Sequence, residues 1–253
     1  MEALFDQPPS GDDEPSDRSR QPSALSHRIV AFLEVVICSD FLSQVALGGT
    51  LSTLGFQPYI QGRLSVAYVV GLSLADSILL VALVMLLLYA HGERPRDVLL
   101  GKRDVIAEAA AGVPMILVAL AIAIAVLLAV QYFAPSLHSV EHNPLQELLR
   151  SPRDATLFAL VVIIAGGVRE EIQRAFLLHR FEQWLGGGAV GVVVTSTAFG
   201  MGHLLQGKDA VIATGLLGAF WGTVYLRRRS CVAPMVSHSG FDLVQIVQFL
   251  IAR

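Results

Sequence analysis

The fold of this chain is decided by residues 166–207, which read GGVREEIQRAFLLHRFEQWLGGGAVGVVVTSTAFGMGHLLQG. Glu170, Glu171 and His203 stand in otherwise apolar sequence, and the glycines at 186–188 predict a turn between two antiparallel helices. At a rise of about 1.5 Å per residue, Glu170 and His203 each lie roughly 25 Å from that turn, so they face the same depth of a membrane. Charged groups at that depth cost about 3 kcal/mol or more each unless they meet a partner or a water-filled cavity. We therefore expect a functional site there.

The composition is that of a polytopic membrane protein. The 253 residues have a mean hydropathy of +0.61, with 54% hydrophobic and only 15% charged residues. We expect an all-α membrane bundle of about seven to eight transmembrane helices. The net charge of −3 indicates no particular partner. Because no run of Lys and Arg is interleaved with aromatic residues, nothing supports nucleic-acid binding.

The chain divides into a tail and a bundle. Residues 1–27 are rich in Pro, Asp, Ser and Arg without an apolar run, so we predict a disordered N-terminal tail. Residues 28–253 form the membrane bundle, whose motif-bearing core covers about residues 154–252. A continuous helix over 154–185 is predicted, because an apolar face persists through its charged part. The predicted membrane segments are 28–51, 65–90, 105–133, 154–185, 187–205, 209–226 and 231–252.

The distribution of Lys and Arg predicts that the N-terminus lies inside. Arg169 and Arg174 are placed within the membrane and do not enter the comparison. The inner side then holds eleven basic residues: Arg18, Arg20, Arg28, Arg94, Arg96, Lys102, Arg103, Arg180, Arg227, Arg228 and Arg229. The outer side holds five: Arg63, Arg150, Arg153, Lys208 and Arg253.

Other polar and aromatic residues interrupt the apolar segments. Glu34 and Asp40 fall in the first one, where each lies near a helix end or turns into the bundle. Trp184, Trp221 and Tyr225 fall toward the inner face and fit an aromatic belt.

The last segment carries His238 and Asp242, four positions apart and therefore on one helical face. Counted inward from the inner face, Asp242 lies at about 20 Å, close to the depth of Glu170 and His203. Three helices thus carry the polar groups of one site: two glutamates, two imidazoles and an aspartate. Such a site could activate water by general-base catalysis, or it could bind a divalent metal with an open coordination position.

Two of these residues also have a purely structural explanation. Arg174 is one turn from both glutamates, so an ion pair with Glu171 could serve folding alone. Taken alone, His203 would be interpreted as an interfacial histidine. Only its match in depth to Glu170 favours a functional role.

These residues resemble the CPBP intramembrane proteases, which include the CAAX prenyl endopeptidases and the bacteriocin-processing and self-immunity proteins. That family's pattern is a Glu-Glu pair followed by Arg, then Phe-x-x-x-His, then His-x-x-x-Asn or Asp, on membrane helices. The resemblance covers about residues 157–249. The matching residues are Glu170, Glu171, Arg174, Phe199, His203, His238 and Asp242.

The spacing differs from the family pattern at one point. The family has three residues between the Glu pair and the Arg, whereas two residues separate Glu171 from Arg174. Aligned on Arg174, Glu170 takes the second Glu position and Arg169 the first, so the spacing leaves two registers. The symmetry about the glycine turn favours Glu170 as the base.

The resemblance implies peptide-bond hydrolysis within the membrane or at its edge. Glu170, with Glu171 beside it, would activate a water as general base. His203 would orient that water or bind a metal. His238 would donate a hydrogen bond to the oxyanion, with Asp242 as its orienter.

Two chemistries stay open under this resemblance. A metal-free glutamate mechanism fits these residues, with Arg174 and Phe199 as structural support. A metalloprotease fits them too, and its divalent metal, such as zinc, would be held by Glu170, His203 and His238. The implied substrate is a membrane-embedded or lipidated peptide or protein, and the implied location is a bacterial-type cytoplasmic membrane.

Two other functions stay open beside the protease. A proton- or ion-coupled transporter would use buried Glu and His residues as a proton relay, but the internal repeat usual for transporters is not found. A non-catalytic membrane scaffold would keep the site residues without the reaction.

Overall fold

A computed structural model describes residues 23–140 and 144–252. Most of the predicted tail therefore lies outside the described residues, and the first helix begins at Ala24, within the stretch assigned to the tail. The α-helices are α1 (Ala24–Ile37), α2 (Phe41–Thr53), α3 (Val66–Ala90), α4 (Pro95–Leu99), α5 (Val105–Phe133), α6 (Pro152–Val161), α7 (Glu170–Trp184), α8 (Gly188–Gly202), α9 (Lys208–Arg228) and α10 (Val232–Ala252). A π-helix (Val162–Arg169) joins α6 to α7. Short 3₁₀ turns cover Pro135–Leu137, Pro144–Leu148 and Leu204–Gln206, and strands β1 (Tyr59–Ile60) and β2 (Arg63–Leu64) form an antiparallel hairpin before α3.

The all-α membrane class is confirmed by the length and apolarity of the helices. Within the described ranges, α3, α5, α9 and α10 are long and apolar enough to cross a membrane, and α1 with α2 would make a fifth, bent span. Large apolar side chains on α5, such as Ile106 and Leu117, are more than two-thirds exposed and suit contact with lipid. Each predicted membrane segment is helical, while the number of seven to eight crossings stays a prediction.

The predicted first segment, 28–51, is not one straight helix. α1 and α2 meet at an angle of 41° across the break at residues 38–40. Asp40 there has a φ of 76°, in the left-handed region that interrupts a right-handed helix. Its carboxylate turns toward Arg169 of the π-helix. Of the two alternatives for this acid, the structure shows the one turned into the bundle.

The helix predicted over 154–185 is continuous from α6 through α7, but its middle is π-helical. Ser151 caps its start by accepting a 3.1 Å hydrogen bond from the Asp154 amide. Gly166 and Gly167 lie in the π-helix against α10, and a Cβ added at Gly166 would lie 2.7 Å from Asp242. A Cβ at Gly167 would overlap Ser239. The two glycines therefore let α10 approach the helix that carries the glutamate pair.

The predicted glycine turn is confirmed. Gly186 and Gly187 have φ values of 98° and 95°, which favour glycine. α7 and α8 on either side each contain 15 residues and pack together. Glu170, which opens α7, and His203, which follows α8, consequently lie at the same end of the hairpin.

Buried ion pairs tie the other helices to this hairpin. Arg180 on α7 donates to Glu34 of α1 and, at 2.6 Å, to Glu93 before α4. Glu34 also contacts His91 at 2.5 Å. Glu34 is thus turned into the bundle as well, and the hairpin is held to α1 and to the segment that follows α3.

Candidate active site

Glu171 is held by two protein groups through one carboxylate oxygen. Its side chain is 1% exposed and forms an ion pair with Arg174 one turn along α7. The same carboxylate oxygen, Oε1, lies 2.9 Å from Nδ1 of His238, so an Nδ1–H donates to it. The ion pair proposed as the structural explanation for Glu171 is therefore present, and it also anchors a site histidine.

Glu170 differs from its neighbour in having only longer contacts. Its side chain is 18% exposed, and Oε1 lies 3.7 Å from Arg169 while Oε2 lies 3.9 Å from Nε2 of His238. Both separations exceed hydrogen-bond length. Glu170 therefore presents carboxylate oxygens that are near a cation and an imidazole and are still able to accept a proton.

His238 lies between the two glutamates and Asp242. Its Nδ1 is held by Glu171, while its Nε2 lies 3.7 Å from Asp242 and 3.9 Å from Glu170. The sequence assigned the orientation of His238 to Asp242, but the hydrogen bond that fixes the ring comes from Glu171. Nε2 is consequently left facing two carboxylates that are too far away to bind it directly.

Phe199 connects His203 to the rest of the site. Its ring lies 4.8 Å from the guanidinium carbon of Arg174 and 4.8 Å, edge to face, from the ring of His203. It also lies 6.0 Å from His238. Nδ1 of His203 contacts the Phe199 carbonyl at 2.9 Å, which leaves Nε2 as the free ring nitrogen. In the described part of the chain His203 forms no ion pair with Glu170, although both lie at the same end of the hairpin.

The assignment of Trp221 and Tyr225 to an aromatic belt was wrong. Both are buried, at 1% and 3% exposure. Trp221 stacks on the ring of His238 at 3.8 Å and donates a 3.1 Å hydrogen bond to Ser237. α9 packs between α8 and α5 here, so an indole on its inward face lies in the bundle and not at its edge.

The donor set does not fit the metal ligands that the resemblance suggested. Across residues 23–140 and 144–252, no group of three His, Cys, Asp or Glu side chains is arranged to hold a metal ion. Glu171 and His238 bind each other, and His203 stands apart from Glu170.

Sequence reasoning missed the groups that surround Arg169. The Asp40 and Asp76 carboxylates lie 3.2 Å and 3.5 Å from its guanidinium, and Gln173 accepts a 3.0 Å hydrogen bond from it. An arginine inside the membrane needs acidic partners, and this rule could have suggested such contacts. Which acids before α2 and in α3 would meet it depended on the bend at Asp40.

The fold and the site define a class: an all-α, multi-pass membrane protein with a buried carboxylate and histidine centre. Residues 152–244 match the model of the family described as type II CAAX prenyl endopeptidase, Rce1-like. The predicted CPBP resemblance is thereby confirmed over residues 152–244, the part of the chain that carries the candidate site residues Glu170, Glu171, His203 and His238. At the level of the family, the match supports an intramembrane endopeptidase with a membrane-associated peptide substrate. No curated protein and no solved structure matches the chain.

Proposed function

We propose that this protein is an intramembrane endopeptidase in which Glu170 activates the hydrolytic water. The observation that carries the proposal is the contrast within the glutamate pair. Glu171 is bound by Arg174 and His238, whereas neither Glu170 oxygen forms a direct hydrogen bond with any residue that the structure describes. A general base needs such a free lone pair within reach of a water.

In the proposed reaction Glu170 takes a proton from the water, and the hydroxide attacks the carbonyl carbon of the scissile peptide bond. The tetrahedral oxyanion forms beside Nε2 of His238. When His238 carries both ring protons, Glu171 accepts the Nδ1–H and Nε2–H is available to the oxyanion. The carboxyl of Glu170 then returns its proton to the amine that leaves, which closes the cycle.

His203 and Asp242 would line the site around this centre. With Nδ1 of His203 directed to its own helix, its Nε2 is the nitrogen that could orient the water. The Asp242 side chain lies 3.7 Å from Nε2 of His238, where it would line the position of the oxyanion. Arg174 and Phe199 would hold Glu171 and His203 in place.

The surroundings of the site suit a substrate that is itself in the membrane. Glu170 lies on a helix flanked by lipid-facing apolar side chains, including Ile164 and Val168. We propose a membrane-embedded or lipidated peptide as substrate, in a bacterial-type cytoplasmic membrane with the N-terminus inside. The family description adds prenylated substrates to the set worth testing.

The test is cleavage of a fluorogenic membrane-peptide library by the purified full chain. Wild type is compared with Glu170→Gln, Glu171→Gln and His203→Ala, with and without a chelator. His138→Asn is the matched control, because His138 pairs at 2.6 Å with Asp209, away from the site. We expect loss of cleavage for Glu170→Gln and His203→Ala, and wild-type rates for His138→Asn.

Three results would change the proposal. A folded Glu170→Gln that still cuts would remove Glu170 as the base, and loss in Glu171→Gln alone would move that role to its neighbour. Loss of activity in chelator with recovery on adding zinc would introduce a metal step. No cleavage by any form, combined with substrate flux in vesicles, would favour the transporter.

A further inference from the structure

Arg169, the residue before the glutamate pair, is a buried cation shared by carboxylates from three elements. Its side chain is 6% exposed, and its guanidinium lies 3.2 Å from Asp40, 3.5 Å from Asp76 and 3.7 Å from Glu170. The two nearest carboxylates belong to the α1–α2 break and to α3. Both of those elements lie outside residues 152–244, the region that matches the family.

The break between α1 and α2 fixes Asp40 in this contact. The left-handed backbone of Asp40, with φ of 76°, costs a residue with a side chain roughly 1 kcal/mol. Gln173 of α7 donates a 2.6 Å hydrogen bond to the carbonyl of Cys38, at the start of the break. A strained residue and a side chain from the site helix therefore place this carboxylate beside Arg169.

Stability alone does not account for this cluster. Asp76 is 1% exposed, with Asp40 and Ser43 as polar neighbours. Neither of its carboxylate oxygens has a partner at hydrogen-bond distance and angle in the described structure. The same holds for Oδ1 of Asp40 and Nε of Arg169. Buried charges with incomplete hydrogen bonding destabilise a fold relative to apolar residues of similar size. Ionisable groups inside a membrane that do not favour folding indicate a role in function.

We propose that Asp40 and Asp76 are positioning residues for the site, because they hold the guanidinium of Arg169 away from the Glu170 carboxylate. This inference rests on the proposed function, in which Glu170 needs a free oxygen. The distances support it, since both aspartates are nearer to the guanidinium than Glu170 is. Without them, Arg169 would close the 3.7 Å gap and bind the oxygen that must accept the proton of the water. The amino-terminal helices thus complete the site.

The test uses kinetics on a peptide that wild type cleaves from the fluorogenic library. Asp76→Asn should lower kcat about tenfold, the factor expected when one charge-assisted hydrogen bond ties up Glu170. KM should stay within about twofold, because Asp76 does not touch substrate. Asp40→Asn should also lower kcat. Because the Asp40 side chain is more exposed, at 27%, this variant replaces Asp76→Asn in the test if Asp76→Asn fails to fold.

The decisive variant is the double replacement Asp76→Asn with Arg169→Gln. Since it removes the guanidinium that would capture Glu170, kcat should recover relative to Asp76→Asn alone. If the cluster only supports folding, the double variant should have a lower kcat than Asp76→Asn, because each lost contact would further destabilise the site. Glu108→Gln is the control, since Glu108 is equally buried and its bidentate pair with Arg228, at 2.7 and 2.8 Å, lies away from Glu170. It should lower stability and leave kcat unchanged.

The outcomes separate this inference from the proposed function. If Glu170→Gln is inactive while Asp76→Asn and Asp40→Asn keep the wild-type kcat, the inference fails and the protease stands. A double variant that is no faster than Asp76→Asn also overturns the inference. If wild type cleaves nothing, or Glu170→Gln cleaves normally, the proposed function fails and the inference falls with it.

Discussion

Replacing Glu171 with glutamine should destabilise the protein far more than the same replacement at Glu170, although the two residues are adjacent. Glu171 is 1% exposed and is the counter-charge of Arg174, which is itself only 4% exposed. Breaking a buried pair of this kind by neutralising one partner costs about 3 kcal/mol or more. Among the described residues Glu170 has no direct hydrogen-bond partner, so its loss should cost about 0.5 kcal/mol or less.

That difference of about 2.5 kcal/mol corresponds to a change of more than fiftyfold in the ratio of folded to unfolded protein. It can be measured by SDS titration of the purified protein in mixed micelles, followed by circular dichroism. The stacked pair of Trp221 and His238 gives a second signal, because the indole fluorescence reports on the site. When activity is expressed per folded molecule, the order should be reversed. Glu170→Gln, the more stable variant, should be the less active one. Equal stabilities for the two variants would refute the reasoning, as would a larger loss at Glu170.

Three further predictions follow from the same contacts. Gly167→Ala should destabilise the bundle by about 1–3 kcal/mol, because the added Cβ would overpack against α10. Gly71→Ala should not destabilise it, since an added Cβ there has no described heavy atom within 4 Å, and the same SDS titration compares the two variants. Trp221→Leu should lower kcat by loosening the site histidine on which the ring stacks, and a wild-type kcat would contradict that role. Burial raises the pKa of Glu93, but hydrogen bonds, first that from Arg180, outweigh it and hold the pKa below the ordinary 4.5. The stability that Glu93 contributes is therefore present above pH 4.5 and lost as pH falls through its folded-state pKa, and Glu93→Gln should flatten that part of a stability–pH profile.

Local sequence was sufficient for the hairpin that carries the site. The glycines at 186 and 187 predicted the turn because their positive φ values are open mainly to glycine. The equal lengths of the flanking apolar stretches then brought Glu170 and His203 to one end. The spacing of His238 and Asp242 on one helical face was equally local, and both residues lie within the part of the chain that matches the family.

Contacts between helices could not be obtained in the same way. The period of an amphipathic helix shows that a face is buried but not which helix covers it. Trp221 was assigned to an interface for this reason, whereas the packing of α9 between α8 and α5 puts it on His238. Local periodicity likewise gave no sign of the π-helical stretch before Glu170, which packs against α10 at Gly166 and Gly167.

The sequence by itself determined that this is an all-α membrane protein with acids and histidines in its apolar helices, because the cost of burying charge in lipid makes such residues conspicuous. Tertiary structure decided which of the two glutamates is free. Arg174 and His238 bind Glu171, and the bent break at Asp40 brings a carboxylate to Arg169 beside Glu170. Those choices depend on distances between residues far apart in the chain, and local periodicity carries no information about them.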